Sequence, residues 1–165
     1  MSQQFELIKS VGRGAFGVVY LYKRKSNTQK VVIKKIPIES SPISQDDTLA
    51  TENEVMVLKI LNHPNILEYY ENFIENNTMF IVMEYAPGGN LYSYLQSKGK
   101  NYMQEEDVLH LFCQLAAAIQ HIHEHQILHR DLKSHNIMLD RSQRIVKIGD
   151  FGISKILERF YFKNF

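Results

Sequence analysis

The segment Ile127–Gly152 constrains the fold of this chain most, because it places polar and charged side chains at both ends of two short apolar runs. It reads ILHRDLKSHNIMLDRSQRIVKIGDFG, and the apolar runs predict two short strands joined by a turn. Asp131, Lys133 and Asn136 precede the first run, and Asp150 follows the second. The segment therefore predicts a loop–strand–turn–strand–loop unit with a cation, two carboxylates and an amide oxygen on one short piece of chain.

The composition is that of an ordinary globular domain and excludes some classes of partner. The 165 residues carry a net charge of +1, and 44% of them are hydrophobic. This balance argues against a nucleic-acid or acidic-membrane partner held by bulk charge. No apolar run reaches the length of a membrane span, and the N-terminus lacks the apolar core of a signal peptide. These features, with a single cysteine, predict a one-domain cytosolic or nuclear protein.

A glycine-rich turn with the pattern GxGxxGxV lies near the N-terminus, from Gly12 to Val19. Glycines let backbone N–H groups approach phosphates closely. A dinucleotide-binding turn would lead into a helix, whereas β-branched and aromatic residues follow here and predict a strand. The next predicted strand carries Val32 and Lys34, which share one face because side chains alternate along a strand. The pattern favours a phosphate-covering loop followed by a lysine that faces the same ligand.

Periodicity predicts the remaining elements. A helix is expected from Asp46 or Asp47 to about Leu61, and strands are expected at 66–74 and 79–84. A short helix is expected at 90–96 and a longer one at 104–125. Cys113, within the longer helix, is expected to be buried in the packing.

Several of these motifs together resemble the signature of protein kinases: GxGxxGxV, VVIK, HRDLKxxN and DFG. The segments NHPNILEYYENFIENN, MEYAPGGNLYSYL and VKIGDFGISKIL narrow the resemblance to the NIMA-related serine/threonine kinases. They are most similar to the ciliary branch, in which a propeller follows the kinase domain. The resemblance covers residues 5–157. It implies an α+β, bilobal kinase fold with a complete β-rich N-terminal lobe, its helix C, and an incomplete helical C-terminal lobe.

The resemblance implies catalytic roles for four residues. Asp131 would accept a hydrogen bond from the attacking hydroxyl, and Lys133 would face the transferring phosphate. Lys34 would bind the nucleotide phosphates and pair with a helix carboxylate. That partner should lie ten residues before the proline of HPN, which selects Glu54 and leaves Glu52 as the alternative.

The resemblance also implies the residues that bind ATP and Mg²⁺. Asn136 and Asp150 supply hard oxygen ligands, which suit Mg²⁺. Met83 would be the gatekeeper of the hinge, and Met138 would form the floor under adenine. The full set expected around ATP is Val11, Gly12, Gly14, Gly17, Val19, Val32, Lys34, Met83, Glu84, Ala86 and Met138.

The expected layout is an N-terminal lobe and hinge over residues 5–86, the start of the C-terminal lobe over 87–157, and a tail over 158–165 that does not resemble the family. A complete kinase domain would continue through an activation loop and several large helices. We therefore expect a truncated form with weak activity toward a protein that has a serine or threonine acceptor. Part of the long helix should be exposed and could receive a regulatory protein partner.

Two classes of function stay open. The set Lys34, Glu54, Asp131, Asn136 and Asp150 favours an ATP- and Mg²⁺-dependent kinase. The absent segments favour a catalytically silent fragment that binds nucleotide or a partner and acts as a regulator. A location in the cytoplasm, at the cytoskeleton, centrosome or cilium, is implied by the resemblance alone.

Overall fold

The computed structural model of this chain describes residues 1, 3–13, 17–38 and 45–157, apart from the side chains of residues 45–51. The glycine-turn residue Gly14 and the predicted tail at 158–165 lie outside the described residues. The described part consists of a β-rich lobe followed by a helical lobe. This arrangement confirms the predicted α+β, bilobal fold.

The β-rich lobe is an antiparallel sheet with one helix against it. Its elements are β1 (Phe5–Arg13), β2 (Val18–Arg24), β3 (Lys30–Pro37), α1 (Gln45–Ile60), β4 (Tyr69–Glu75) and β5 (Thr78–Glu84). The strands are ordered β1-β2-β3-β5-β4, so β3 lies at the centre of the sheet. Each neighbouring pair is antiparallel, and three of the four pairs are joined by short turns.

The helical lobe combines two helices with short hairpins. Its elements are α2 (Leu91–Lys98), α3 (Glu105–Glu124), β6 (Ile127–Leu128), a 3₁₀ turn (Ser134–Asn136), β7 (Ile137–Leu139), β8 (Val146–Ile148) and β9 (Lys155–Ile156). Strand β7 pairs with β8, and β6 pairs with β9. Helix α2 begins after Asn90, whose side chain accepts a hydrogen bond from the backbone N–H of Ser93.

The central strand β3 divides the core of the β-rich lobe into two clusters. Val32 and Ile36 pack on the side of α1, whereas Val31 and Ile33 pack in an aromatic-rich cluster on the other side. The alternation follows from the two-residue period of a strand. It places Lys34 on the face toward α1, as the sequence predicts.

The loop that follows α1 pairs with β8 instead of continuing β4. The N–H of Ile148 donates to the carbonyl of Asn65 at 2.8 Å, and the N–H of Leu67 donates to the carbonyl of Ile148 at 2.9 Å. Ile66 and Leu67 are buried in this contact. The prediction of a strand from residue 66 is therefore wrong by three residues, because β4 begins at Tyr69.

Helix α3 buries a narrower face than its sequence predicts. Leu111, Ala118 and Ile122 are buried, whereas Phe112 is 62% exposed. The prediction that Cys113 is buried is wrong, since this side chain is exposed next to Phe112. The physical reason is that α3 packs against β6 and β8 along one side only, and no described residue covers its opposite apolar side.

Gly88 allows the chain to pass from the hinge into the helical lobe. Its N–H donates to the carbonyl of Leu139 at 2.9 Å. A Cβ at this position would lie 2.1 Å from the carbonyl oxygen of Asp140. We predict that Gly88→Ala lowers the free energy of unfolding, measured with urea, by about 1–3 kcal/mol. Gly12→Ala is the control, because a Cβ there has no atom within 4 Å; equal stability of both variants would contradict the prediction.

Candidate active site

A buried ion pair joins β3 to α1. The Nζ atom of Lys34 lies 2.7 Å from Oε1 and 2.8 Å from Oε2 of Glu54. Both residues are almost fully buried. Burial raises the pKa of the Glu54 carboxyl, and the charge and hydrogen bond of Lys34 oppose that rise. The Nζ atom of Lys34 also lies 3.4 Å from Oδ1 of Asp150, so the ion pair contacts the first residue of the DFG motif.

The structure distinguishes the two acids that the sequence offers as partners of Lys34. Glu54 faces the sheet and is buried, whereas Glu52 is exposed. Positions two apart on a helix point to different sides, so only one of them can face β3. Asn53 lies between them and donates from its side chain to the carbonyl of Ser154 at 2.9 Å. Helix α1 is thus fixed both to β3 and to the segment after DFG.

A second charged cluster lies on the loop between β6 and β7. The Nζ atom of Lys133 donates to both carboxylate oxygens of Asp131, at 2.9 and 2.7 Å. The side-chain amide of Asn136 donates to Oδ2 and to the backbone carbonyl of Asp131, each at 2.9 Å. The hydrogen bond from Lys133, with a further contribution from Asn136, lowers the pKa of Asp131. Asp131 is therefore ionised at neutral pH and oriented by two donors.

The side chains of Asn136 and Asp150 fit the requirements of a magnesium ion. The N–H of Gly149 donates to the carbonyl of Asn136 at 2.9 Å, which brings the two segments side by side. The amide nitrogen of Asn136 is bound to Asp131, so its amide oxygen is the atom left to coordinate a cation. The backbone of Asp150 has a φ of 57°, in the left-handed region that residues other than glycine rarely adopt. The side-chain oxygen atoms of Asn136 and Asp150 are the ones that would hold Mg²⁺.

His129 connects the loop that carries Asp131 with the segment that carries Gly149 and Asp150. Its Nε2 atom lies 2.9 Å from the carbonyl of Gly149, and its Nδ1 accepts from the N–H of Asp131 at 3.3 Å. This arrangement requires the proton on Nε2 and hence a neutral ring. Burial against Phe151 lowers the pKa of His129, and the carbonyl of Gly149 opposes that change. His129 thus bonds the loop of Asp131 to the backbone that precedes Asp150.

Five of the residues predicted to face the nucleotide lie opposite one another on adjacent strands of the sheet, in two rows that run across the strands. Gly12 pairs with Val19, and Val19 pairs with Lys34 across β1, β2 and β3. In another row, Val32 pairs with Met83 of β5. These rows bring five of the predicted residues together on adjacent strands.

The remaining described residues of the predicted set lie outside these two rows. A Cβ on Gly17 would lie 2.2 Å from the carbonyl oxygen of Lys35, so no larger residue fits there without a shift. Glu84 ends β5, and Ala86 follows it in the hinge. Met138 of β7 forms an isolated bridge with Asn90. Val11 is exposed on β1.

The sequence did not single out Lys147, Asn53 or Asn65, although all three connect parts of the site. The side chain of Asn65 donates to the carbonyl of Val146 at 2.9 Å. Lys147 alternates with buried residues of β8, and this alternation is the only signal that it faces another direction. Its partners, Glu84 and Pro64, are far away in sequence and could not be read from a pattern.

The family model described as "Protein kinase domain" matches residues 5–164.

The chain belongs to the protein kinase family.

The match includes the whole described site and also most of the segment 158–165, which was expected not to resemble the family. Among curated proteins, the chain is 52% identical to the serine/threonine-protein kinase Nek8 of Danio rerio, over 94% of this chain and 22% of that protein. It is 40% identical to human Nek5 over 93% of this chain and 22% of that protein. These relatives support the NIMA-related assignment. The chain spans about a fifth of their length.

The buried histidine of this kinase site makes its stability depend on pH. The pKa of His129 is lower in the folded state than the ordinary value of 6.5, so the unfolded state binds the proton first as pH falls. The neutral His129 ring contributes fully to stability above pH 6.5, and this contribution is lost as the pH falls from 6.5 through the pKa of the folded state. We predict that the melting temperature decreases between about pH 7 and about pH 5 and that His129→Gln reduces this slope.

In His129→Gln, the slope of melting temperature against pH should be reduced and not abolished, because burial also lowers the pKa of His121. His123→Gln is the matched control, since this ring is exposed on α3. Thermal unfolding followed by circular dichroism gives the slope for each variant. An unchanged slope in His129→Gln would contradict the assignment of a neutral, buried ring.

Proposed function

We propose that this chain is an ATP- and Mg²⁺-dependent protein serine/threonine kinase that transfers the γ-phosphate to serine or threonine hydroxyls. The observation that carries the proposal is the meeting of two charged clusters from distant parts of the chain. Lys34 and Glu54 of the β-rich lobe lie against Asp150, and the backbone of Gly149 is bonded to the loop that holds Asp131 and Asn136. Phosphoryl transfer needs this combination of a cation, metal ligands and a base.

Each cluster has a distinct task in the proposed reaction. Lys34, oriented by Glu54, would neutralise charge on the nucleotide phosphates. Asn136 and Asp150 would hold Mg²⁺, which neutralises charge on the phosphoryl group when bound. Asp131 is ionised, so it can accept a hydrogen bond from a substrate hydroxyl. Lys133 is 51% exposed in its side chain and remains able to turn from Asp131 toward the transferred phosphate.

The protein substrate and the location are parts of the same proposal. Lys133 in HRDLKxxN, together with relatives that are named serine/threonine-protein kinases, supports serine and threonine as acceptors. No helix among the described residues is long and apolar enough to cross a membrane. We propose a location in the cytoplasm, at the cytoskeleton, centrosome or cilium, and the resemblance to the NIMA-related kinases supports this proposal.

Two substitutions separate nucleotide binding from transfer. We predict that Lys34→Met weakens binding of Mg²⁺–ATP about 10-fold or more, since a hydrogen bond to a charged group contributes about 1.5–3 kcal/mol. Asp131→Asn should leave this affinity nearly unchanged and reduce the low rate of transfer to a serine-containing protein about 100-fold or more. Calorimetry and a radioactive-phosphate assay measure the two quantities.

Lys35→Met is the control for Lys34→Met, because the Nζ atom of Lys35 lies over the ring of Tyr20 on the opposite face of β3, 4.7 Å from its centroid. It should bind nucleotide like the unsubstituted chain. Transfer that survives Asp131→Asn would count against the kinase proposal. Binding that depends on Lys34 without any transfer would favour the regulatory alternative instead.

The exposed face of α3 favours a second candidate, a nucleotide-binding regulatory module that acts through protein contacts. A shallow apolar groove on this helix is lined by Phe112, Leu115, Ala116, Ile119, Gln120, His123 and Glu124. Phe112 and Leu109 are 62% and 52% exposed. Contiguous apolar surface of this kind is typical of protein-binding sites.

We predict that Phe112→Ser reduces concentration-dependent self-association of the chain, because it removes the largest exposed apolar side chain of this groove. Sedimentation velocity at increasing protein concentration measures the effect. Tyr102→Ser is the matched control, since Tyr102 is 93% exposed and lies outside the groove. Equal association of both variants would remove the support that α3 gives to the regulatory candidate.

A further inference from the structure

Lys147 connects three segments that meet behind the predicted adenine site. Its Nζ atom lies 2.8 Å from Oε2 of Glu84 and donates to the carbonyl of Pro64 at 2.9 Å. Lys147 is in β8, Glu84 ends β5, and Pro64 lies in the loop between α1 and β4. A single ammonium group therefore links the helical lobe, the hinge and the loop that follows α1.

Glu84 is held on its backbone as well as on its side chain. Its N–H donates to the carbonyl of Glu68 at 2.8 Å. The N–H of Glu68 donates in turn to Oε2 of Glu84 at 3.2 Å, the same oxygen that binds Lys147. The carboxylate thus has two donors from different elements. The start of the hinge is fixed on the side away from β3.

Strand β8 holds Lys147 in a fixed position. The residues on either side, Val146 and Ile148, are fully buried and are bonded to the loop after α1. Lys147 pairs directly with Met138 across the β7–β8 hairpin, and directly opposed residues share one face of a sheet. Lys147 therefore lies on the face of the hairpin that carries the predicted floor of the adenine site.

We propose that Lys147 is a positioning residue for the nucleotide: through the Glu84 carboxylate it holds the hinge from Glu84 to Ala86 in the conformation that receives adenine. This inference rests on the proposed ATP-binding function. The side chains of the pair are 17% and 23% exposed, so the pair is largely buried and removing one partner is expected to lower stability as well. Its effect is expected in nucleotide affinity, because a hinge that is already ordered loses less entropy on binding.

The test compares the dissociation constant for Mg²⁺–ATP with the melting temperature of each variant. Lys147→Met and Glu84→Gln should each raise the dissociation constant about 3- to 10-fold at a temperature where both variants are folded, whether or not the melting temperature also falls. Lys147→Arg should keep near-normal affinity, because a guanidinium can donate to both the carboxylate and the carbonyl. Amide hydrogen exchange in the hinge should become faster in the two weakened variants.

Glu71→Gln is the matched control. The ion pair of Glu71 with Arg24 is 2.7 Å long and belongs to the same sheet, but it contacts neither the hinge nor β8. This variant should keep normal affinity. The double variant Lys147→Met/Glu84→Gln should lose no more affinity than either single variant, since both single variants remove the same Lys147–Glu84 ion pair.

The outcomes separate this inference from the proposed function. Failure of the unsubstituted chain to bind Mg²⁺–ATP would overturn both. Normal binding that depends on Lys34 but is unchanged in Glu84→Gln and Lys147→Met would overturn the role of Lys147 alone. Equal losses of melting temperature in Glu84→Gln and Glu71→Gln, with unchanged affinity, would show a purely structural ion pair and would also overturn it. Glu84→Gln preserves the shape of the side chain and carries the test if Lys147→Met does not fold.

Discussion

The ion pair between Lys34 and Glu54 is the interaction on which the rest of the site depends. Burying two charges costs several kcal/mol for each ion, and this cost is offset only when the geometry is nearly ideal. Both carboxylate oxygens lie within 2.8 Å of the ammonium group, so the condition is met. It can be met only if α1 lies against β3 at the register that brings Glu54 inward. The position of α1 therefore determines whether the charge of Lys34 is available at the proposed nucleotide site.

The ammonium group of Lys34 also connects the β-rich lobe to the segment that carries the proposed metal ligand Asp150. Asp150 lies at the edge of the Lys34–Glu54 pair, and α1 also contacts the backbone after DFG through Asn53. A displacement of α1 would thus change the surroundings of Lys34 and the support of Asp150 together. The left-handed backbone of Asp150, with a φ of 57°, shows that the surrounding bonds hold this residue in an otherwise unfavourable conformation.

A second connection between the lobes runs through neutral backbone bonds. The loop after α1 pairs with β8, and β8 pairs with β7, which follows the loop of Asp131 and Asn136. Lys147 extends this connection to the hinge. The two charged clusters are consequently positioned by a continuous set of hydrogen bonds in which both lobes take part, and neither lobe positions the site by itself.

The sequence by itself determined the local features of this protein. The period of two in β3 placed Val32 and Lys34 on one face, and the short apolar runs around Asp131 and Asp150 correctly predicted β7 and β8. These predictions succeed because they depend on neighbouring residues. The selection of Glu54 over Glu52 came from family resemblance, and the buried ion pair agrees with it. Only the tertiary structure decided that Ile66 and Leu67 pair with Ile148 of β8, that Cys113 is exposed, and that Lys147 binds Glu84 and Pro64. Those outcomes depend on which surfaces meet across distant parts of the chain, and local periodicity contains no information about that choice.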